Sequence, residues 1–432
     1  MPTLTEYRRA GYFSAAETAL RLGIKQATLY AYVSRGQLQA HRPSDARVSL
    51  FHPDEVERLR ARPARAGRPE LSIPSAVTLI RPDGLYYRGV DAISLAATHN
   101  YEQVAELLWH GPAGSSHTWQ APEATGAAIA ALQALPPGAL PAEKLQTAVA
   151  ALATADPLRY DVTATAVLRV AAGLITAMAA CLRTSAQTVH SPLGQPPQPL
   201  AATLSDQLSA RPPSTALTRA VNAAMILLAD HELAPSTVAV RIAAAARSPI
   251  YGCIAAGLGV LQGPLHGGTS LRAEDLLAQI RSPEQADAII HAHLSRGDPL
   301  WGFGHPVYSD RDPRAAALLR LLLGSAPARQ RTTINRILAF TAENSLPPPN
   351  IDFALAALAH CWSLSRGAGQ AIFAVARTAG WIAHAIEEYE RKASYRIRAT
   401  YTGPPAQDAP PSASSGLPVD NRIRDTSRRV GR

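Results

Sequence analysis

From residue 74 to residue 403 the chain is built mostly of Ala/Leu-rich segments whose apolar residues recur every three or four positions, the period of a helix face. The clearest segments are 91–108, 142–153, 163–182, 216–229, 239–258 and 315–323. Alternating β-branched patterns are nearly absent beyond one candidate hairpin over 76–87. Stripes of this kind can be buried only against one another, so the expected class is all-α, helix packed on helix. At 432 residues and 47% hydrophobic content, the chain is long enough for more than one cored domain. No run approaches the ~18 to 20 apolar residues that span a bilayer, and the opening MPTLTEYRRA lacks a secretory apolar stretch. The expected setting is the cytoplasm, with no membrane partner.

The ends of the chain read differently. Of the formal charge of +9, residues 1–73 carry net +5 (twelve Lys/Arg against seven Asp/Glu) and residues 406–432 carry net +2 (five against three), which leaves +2 between them. Ser14, with Glu17 three residues later, has the spacing of a capping box opening a helix over 15–22. Gly23 stops that helix, 26–34 reads as a second one closed by Gly36, and 38–51 reads as a hairpin around Pro43-Ser44-Asp45. The string AAETALRLGIKQATLYAYVSRG followed by SLFHPDEVERL is similar to the winged helix-turn-helix of MerR-like regulators and excisionases, within a domain of residues 1–62. That resemblance implies Gln26, Thr28 and Tyr32 in a major groove, with Arg35, Arg42 and Arg47 on phosphates, in a salt-sensitive contact with DNA. The same module could instead serve packing or assembly. Residues 63–73, PARAGRPELSI, read as a linker, and 404–432, rich in Pro and Ser and then basic, as a disordered tail.

Chemistry is concentrated at a few polar points in this apolar text. The cysteines Cys181, Cys253 and Cys361 are far apart, in apolar contexts, and read as core thiols, not as metal ligands or a disulfide framework. Three histidines, His231, His266 and His305, fall at expected loops or helix ends, two of them beside glycines that let a ligand approach the backbone. His266 lies in GPLHGGTS, after an apolar helix over 250–261, and His305 lies in GFGHPVYSDRDPR. An isolated acid, Asp352, lies in PPPNIDF. Arg377, inside FAVARTAGW, must meet an anion or bear a large desolvation cost if buried.

The order GLYYRG, ADHEL, GPLHGG, GFGHPVY with DPR, NIDF, AVARTAGWIAH, and a final Arg-x-Arg before Tyr-x-Gly resembles citrate synthases over about residues 74–403. Each string is weak alone; together, in order, they are specific. The resemblance implies a large domain of 74–268 plus 358–403, and a small domain of 269–357 that closes over substrate. It implies Claisen condensation of acetyl-CoA with oxaloacetate to give citrate and CoA, without metal or bound cofactor, acyl-CoA being a co-substrate. Such a reaction needs a base and an enolate-stabilising donor acting together on a weakly acidic methyl group. By resemblance Asp352 is that base, His266 donates to the thioester carbonyl, and His305 protonates the keto oxygen. Arg314 and Arg377 would bind the carboxylates of oxaloacetate with His231, while Arg396 would complete the neighbouring site of a homodimer. His384 and Arg88 read as structural.

Three departures from the family pattern stand out. Thr269-Ser270 follow GPLHGG where Ala-Asn is common, Ile397 replaces a proline between the terminal arginines, and Ser309 replaces a basic residue that contacts coenzyme A phosphates. Arg311 is the candidate substitute for that contact. Two further readings stay open: a 2-methylcitrate synthase using propionyl-CoA, or a DNA-binding regulator whose citrate synthase-like body senses a metabolite.

Overall fold

In the computed structural model, which describes residues 3–22, 29, 33, 38–46, 48–61, 73–81, 84–111, 119–182, 198–308, 310–391, 395 and 402–403, the chain forms two units, Met1–Pro74 and Ser75–Arg432. The first unit holds α1 (Leu4–Arg9), β1 (Phe13–Ser14), α2 (Ala15–Leu22), β2 (Leu50–Phe51) and α3 (Pro53–Ala61). The box at α2 forms as its spacing predicts: Ser14 Oγ accepts from the Glu17 N–H at 3.3 Å, and the Glu17 carboxylate accepts from the Ser14 N–H at 2.7 Å. Leu29, Leu38, Phe51 and Val56 form its small core, with Phe13, Leu22 and Val33 against them. The hairpin expected over 38–51 is only partly realised. His41 and Leu50 make one antiparallel bridge, but the strand containing Leu50 pairs along β1, Phe13 with Phe51 and Ser14 with Leu50. A turn seeded by Pro43 cannot decide the pairing when β1 offers a second open edge.

The second unit opens with the expected hairpin, β3 (Thr78–Arg81) against β4 (Gly84–Tyr87), extended by β5 (Val90–Asp91). Helices follow. The periodic run 91–108 is two helices, α4 (Ala92–Thr98) and α5 (Tyr101–His110), because Asn100 caps the second by accepting from the Gln103 N–H at 2.9 Å. Next come α6 (Thr125–Leu132), α7 (Pro141–Ala155), α8 (Ala164–Ala180), α9 (Leu200–Leu208) and α10 (Thr215–Leu228). The run 239–258 is likewise broken, into α11 (Pro235–Ala245) and α12 (Ile250–Leu261), at Arg247 (φ +59°) and Pro249. Then follow α13 (Gly268–Leu277), α14 (Ala286–Ser295), α15 (Pro313–Ser325), α16 (Ala328–Glu343), α17 (Ile351–Trp362) and α18 (Ala368–Glu390).

The core is organised around α18. It is buried on every face from Ala368 to Tyr389 except at Glu387, and it packs against α5, α7, α8, α10, α11, α12, α13 and α17. A helix that is apolar all round belongs inside a bundle. Small residues let its neighbours close in: a Cβ on Gly380 would stand 2.5 Å from the Ala229 carbonyl oxygen, which instead accepts the Gly380 N–H at 3.0 Å. This crossing delivers the end of α10, and the residues that follow it, to the centre of the body. The three cysteines are buried and free, as expected of core thiols. No described helix is long and apolar enough to cross a membrane.

A second close approach joins the loop before α15 to α17. Gly302 (φ +87°) lies where a Cβ would be 2.9 Å from the Phe353 nitrogen, and its carbonyl accepts the Asn350 N–H at 2.9 Å. Both the left-handed backbone and the space therefore require glycine there. Gly302→Ala is expected to cost about 2 kcal/mol or more of folding stability, read by denaturant unfolding.

Candidate active site

Five elements bring the predicted residues to one place. His231 lies in the turn between α10 and α11, His266 between α12 and α13, His305 in the loop before α15, Asp352 in the first turn of α17, and Arg377 midway along α18. The His231 and His305 rings meet edge to face at 5.5 Å between centroids, and both pack on Tyr308, at 5.7 and 4.9 Å. His231 Nε2 is 3.1 Å from the Tyr308 hydroxyl. Phe373 links the other pair, with the Arg377 guanidinium 4.7 Å from its ring centroid and the His266 ring at 5.6 Å.

The tautomer of His305 follows from its partners. Its Nδ1 accepts from the Val307 and Tyr308 N–H groups at 3.1 and 3.3 Å, so the ring proton of the neutral form must be on Nε2. Burial first, and then the Arg314 charge, push its pKa down to about 4, so the ring is neutral near pH 7. Nε2–H is thus a donor, and it lies 3.3 Å from Arg314 Nη2, which can also only donate. Two donors converging in this way call for an oxygen acceptor between them. His266 is held neutral in the same manner, with burial and then Arg377 pushing its pKa down to about 4. Its Nε2 is 2.7 Å from Ser236 Oγ. Burial, reinforced by Arg314 and Arg377, also takes His231 well below the ordinary histidine value.

The two arginines are handled in opposite ways. Arg314 is 2% exposed and makes a fork with Asp312, Nε to Oδ1 at 3.0 Å and Nη2 to Oδ2 at 2.9 Å. Burial opposes both charges but their attraction outweighs it, holding Arg314 above its ordinary value and Asp312 below. Arg377 is 1% exposed; its Nε donates to the Leu228 carbonyl at 2.7 Å, while Nη1 and Nη2 are buried with no partner among the described residues. Burial pushes its pKa down to about 10, which leaves it cationic at neutral pH. A buried cation with two idle donors is costly unless an anion meets it.

Asp352 is the complementary case. Its Oδ1 is buried without a partner among the described residues, and burial pushes the carboxyl pKa up to about 7, with Arg314 opposing and Asp312 adding to the rise. Asn350 fixes the turn beneath it, accepting the Asp352 N–H at 2.9 Å through its side-chain oxygen and donating to the Gly304 carbonyl at 2.7 Å. The His305 loop and the start of α17 are therefore tied together.

Sequence reading did not single out Ser236, Tyr308, Asp312, Asn350 or Phe373. Asp312-Pro313 carries an N-cap and first-turn signal that could have marked its loop, and Tyr308 lies inside a quoted string; nothing in the sequence relates Ser236 to His266. Arg88 and His384, read as structural, bond within the scaffold: Arg88 donates to the Leu108 carbonyl at 3.1 and 2.8 Å. His384 stands between Arg241, 2.9 Å from Nδ1, and Asp230, 3.3 Å from Nε2, and so props the residue before His231. Arg311 is exposed beside Asp312, and Arg42 is exposed in the first unit. Gln26, Thr28, Tyr32, Arg35, Arg47, Ser309 and Arg396 lie outside the described residues. The described residues contain no metal-binding cluster of His, Cys, Asp or Glu.

Residues 70–399 match the family model "Citrate synthase, C-terminal domain". The chain is 31% identical over 356 residues to "Citrate synthase 2" of Bacillus subtilis, covering 77% of this chain and 94% of that protein. It is 29% identical over 386 residues to a 2-methylcitrate synthase of Mycobacterium tuberculosis, covering 85% and 97%. The crystal structure of a citrate synthase from Thermotoga maritima superposes with a TM-score of 0.65 at 25% identity, covering 83% of this chain and 99% of that one. With its helical body, its histidine and arginine cluster and these relatives, the chain belongs to the citrate synthase family.

Proposed function

We propose that this enzyme condenses acetyl-CoA with oxaloacetate and water to give citrate and free CoA. The observation that carries the reading is the pairing of opposite defects among the described residues: a buried Arg377 with two unpartnered donors, and a half-buried Asp352 whose buried Oδ1 has no partner. A dicarboxylate satisfies Arg377 and Arg314, with His231 as a further ligand. His305 Nε2–H and Arg314 Nη2 lie 3.3 Å apart, close enough for one substrate oxygen to accept from both, and His305 gives its proton to the keto oxygen as the carbon bond forms. Asp352 removes a methyl proton from the thioester. If Ser236 donates to His266 Nε2, the ring proton is on Nδ1, free to stabilise the enolate oxygen. Water then hydrolyses the citryl thioester and CoA leaves. Acetyl-CoA is a co-substrate, and no bound cofactor is required.

His231, His266 and Arg377 come from the segments read as the large domain, whereas His305, Arg314 and Asp352 come from the one read as small. Closure of one on the other assembles the site and excludes water from the thioester. The enzyme acts as a homodimer in which Arg396 of each chain serves the neighbouring site, and Arg311 meets coenzyme A phosphates. Three buried free thiols suit a reducing cytoplasm.

We read the N-terminal unit as a winged helix-turn-helix on the strength of the Ser14–Glu17 box and the net +5 of residues 1–73. Its DNA contact is expected to weaken steeply between low and high salt, measured by fluorescence anisotropy on duplex DNA. Retained DNA binding with no release of CoA would favour the regulator reading.

Because Asp352 must be ionised to act, kcat/KM is expected to fall below about pH 7 and to be level above it; His266 and His305, both neutral well below that, add no limb there. Asp352→Asn is expected to lower kcat by roughly 10²- to 10⁴-fold while calorimetry shows oxaloacetate still bound. The 2-methylcitrate relative makes acyl choice a direct question. One methylene is worth only about 1–3 kcal/mol, so acetyl-CoA is expected to exceed propionyl-CoA in kcat/KM by about 10- to 200-fold in parallel assays. The reverse order would assign the 2-methylcitrate reaction.

A further inference from the structure

We propose that Asp312 is a positioning residue: its one carboxylate orients Arg314 and keeps the first turn of α17 from capturing the Asp352 side chain. The inference rests on Asp352 being the base. Asp312 is 1% exposed and its oxygens are fully engaged. Oδ1 accepts from the Arg314 N–H and Nε, each at 3.0 Å; Oδ2 accepts from Arg314 Nη2 at 2.9 Å and from the Ile351 N–H at 3.0 Å.

The last of these bonds is the informative one. The first N–H groups of a helix have no partner within it, and a carboxylate in the first turn ordinarily folds back onto them. Asp352 is the second residue of α17, placed to do this. Here those donors are already taken: Asp312 holds the Ile351 N–H, and Asn350 accepts those of Asp352 and Phe353, at 2.9 and 3.4 Å. The Asp352 carboxylate is thereby left for substrate, its basicity not spent on local hydrogen bonds. Because the same Oδ2 also takes Arg314 Nη2, the carboxylate-binding arginine and the base share one anchor.

Asp312→Asn removes the charge at nearly constant volume, and its amide group cannot accept from both sides. Asp312→Ser preserves an N-cap for α15 but cannot reach Ile351 and the guanidinium fork together. Both variants are expected to raise KM for oxaloacetate about tenfold or more and to move the acid limb of kcat/KM down by about one pH unit, since a freed Ile351 N–H and the lost negative charge both favour ionised Asp352. Circular dichroism and thermal unfolding check that each variant is folded. If Asp312 is only a helix cap, Asp312→Ser leaves both the limb and KM at wild-type values, and that result overturns the proposal. Should Asp312→Asn fail to fold, the serine variant alone decides. Failure of the underlying reading looks different, since Asp352→Asn would then retain condensation whatever Asp312 does.

Discussion

A guanidinium in the middle of a helix buried on every side is the constraint around which the rest of the body is arranged. α18 gains its stability by burying Ala, Ile, Val, Phe and Trp against eight neighbouring helices, yet at Arg377 it places a cation where water does not reach. One backbone carbonyl meets Nε, and the remaining donors go unanswered within the described chain. Desolvating a charge on these terms costs several kcal/mol, which a bound anion would offset. Gly380 lets the residues that follow α10 come close, and the Leu228 carbonyl at its end accepts from Arg377.

The opposite charge is treated with equal economy of contacts. Asp312 pairs with Arg314 and caps two helices, while among the described residues Arg377 keeps two donors without a hydrogen-bond partner and Asp352 keeps a carboxyl whose ionisation is balanced near neutrality. Neutral His266 and His305 can donate without first losing a proton to solvent, because burial and neighbouring arginines have already set their state. Donors held in place in this way would stabilise developing charge without reorganising.

Much of the scaffold could be read from residues alone. The box at Ser14 and Glu17, the hairpin after residue 76, and most helices appear where spacing and caps place them. The failures have local causes. Apolar period continues across Asn100 and across Arg247-Ser248-Pro249, so two runs looked continuous although a capping side chain and a proline end a helix inside each. In the N-terminal unit a turn signal at Pro43 suggested a self-contained hairpin, but the edge of β1, more than thirty residues earlier, competes for the same strand.

At the site the division is sharper. Residue type and the resemblance in motif order single out His231, His266, His305, Arg314, Asp352 and Arg377 as candidates, and the structure brings these residues into one region. They could not show that Arg314 is engaged by Asp312 while, among the described residues, Arg377 keeps two donors without a hydrogen-bond partner. Nor could they show that Ser236 meets His266 or that Asp312 holds the N–H before Asp352, contacts that span 30 and 39 residues. The sequence by itself determined a mostly helical body and which polar residues are the candidates for chemistry, because both are carried by local pattern and by the order of short motifs. Only the tertiary structure decided their protonation and freedom, because burial and hydrogen-bond partners come from segments that meet only when the chain is folded.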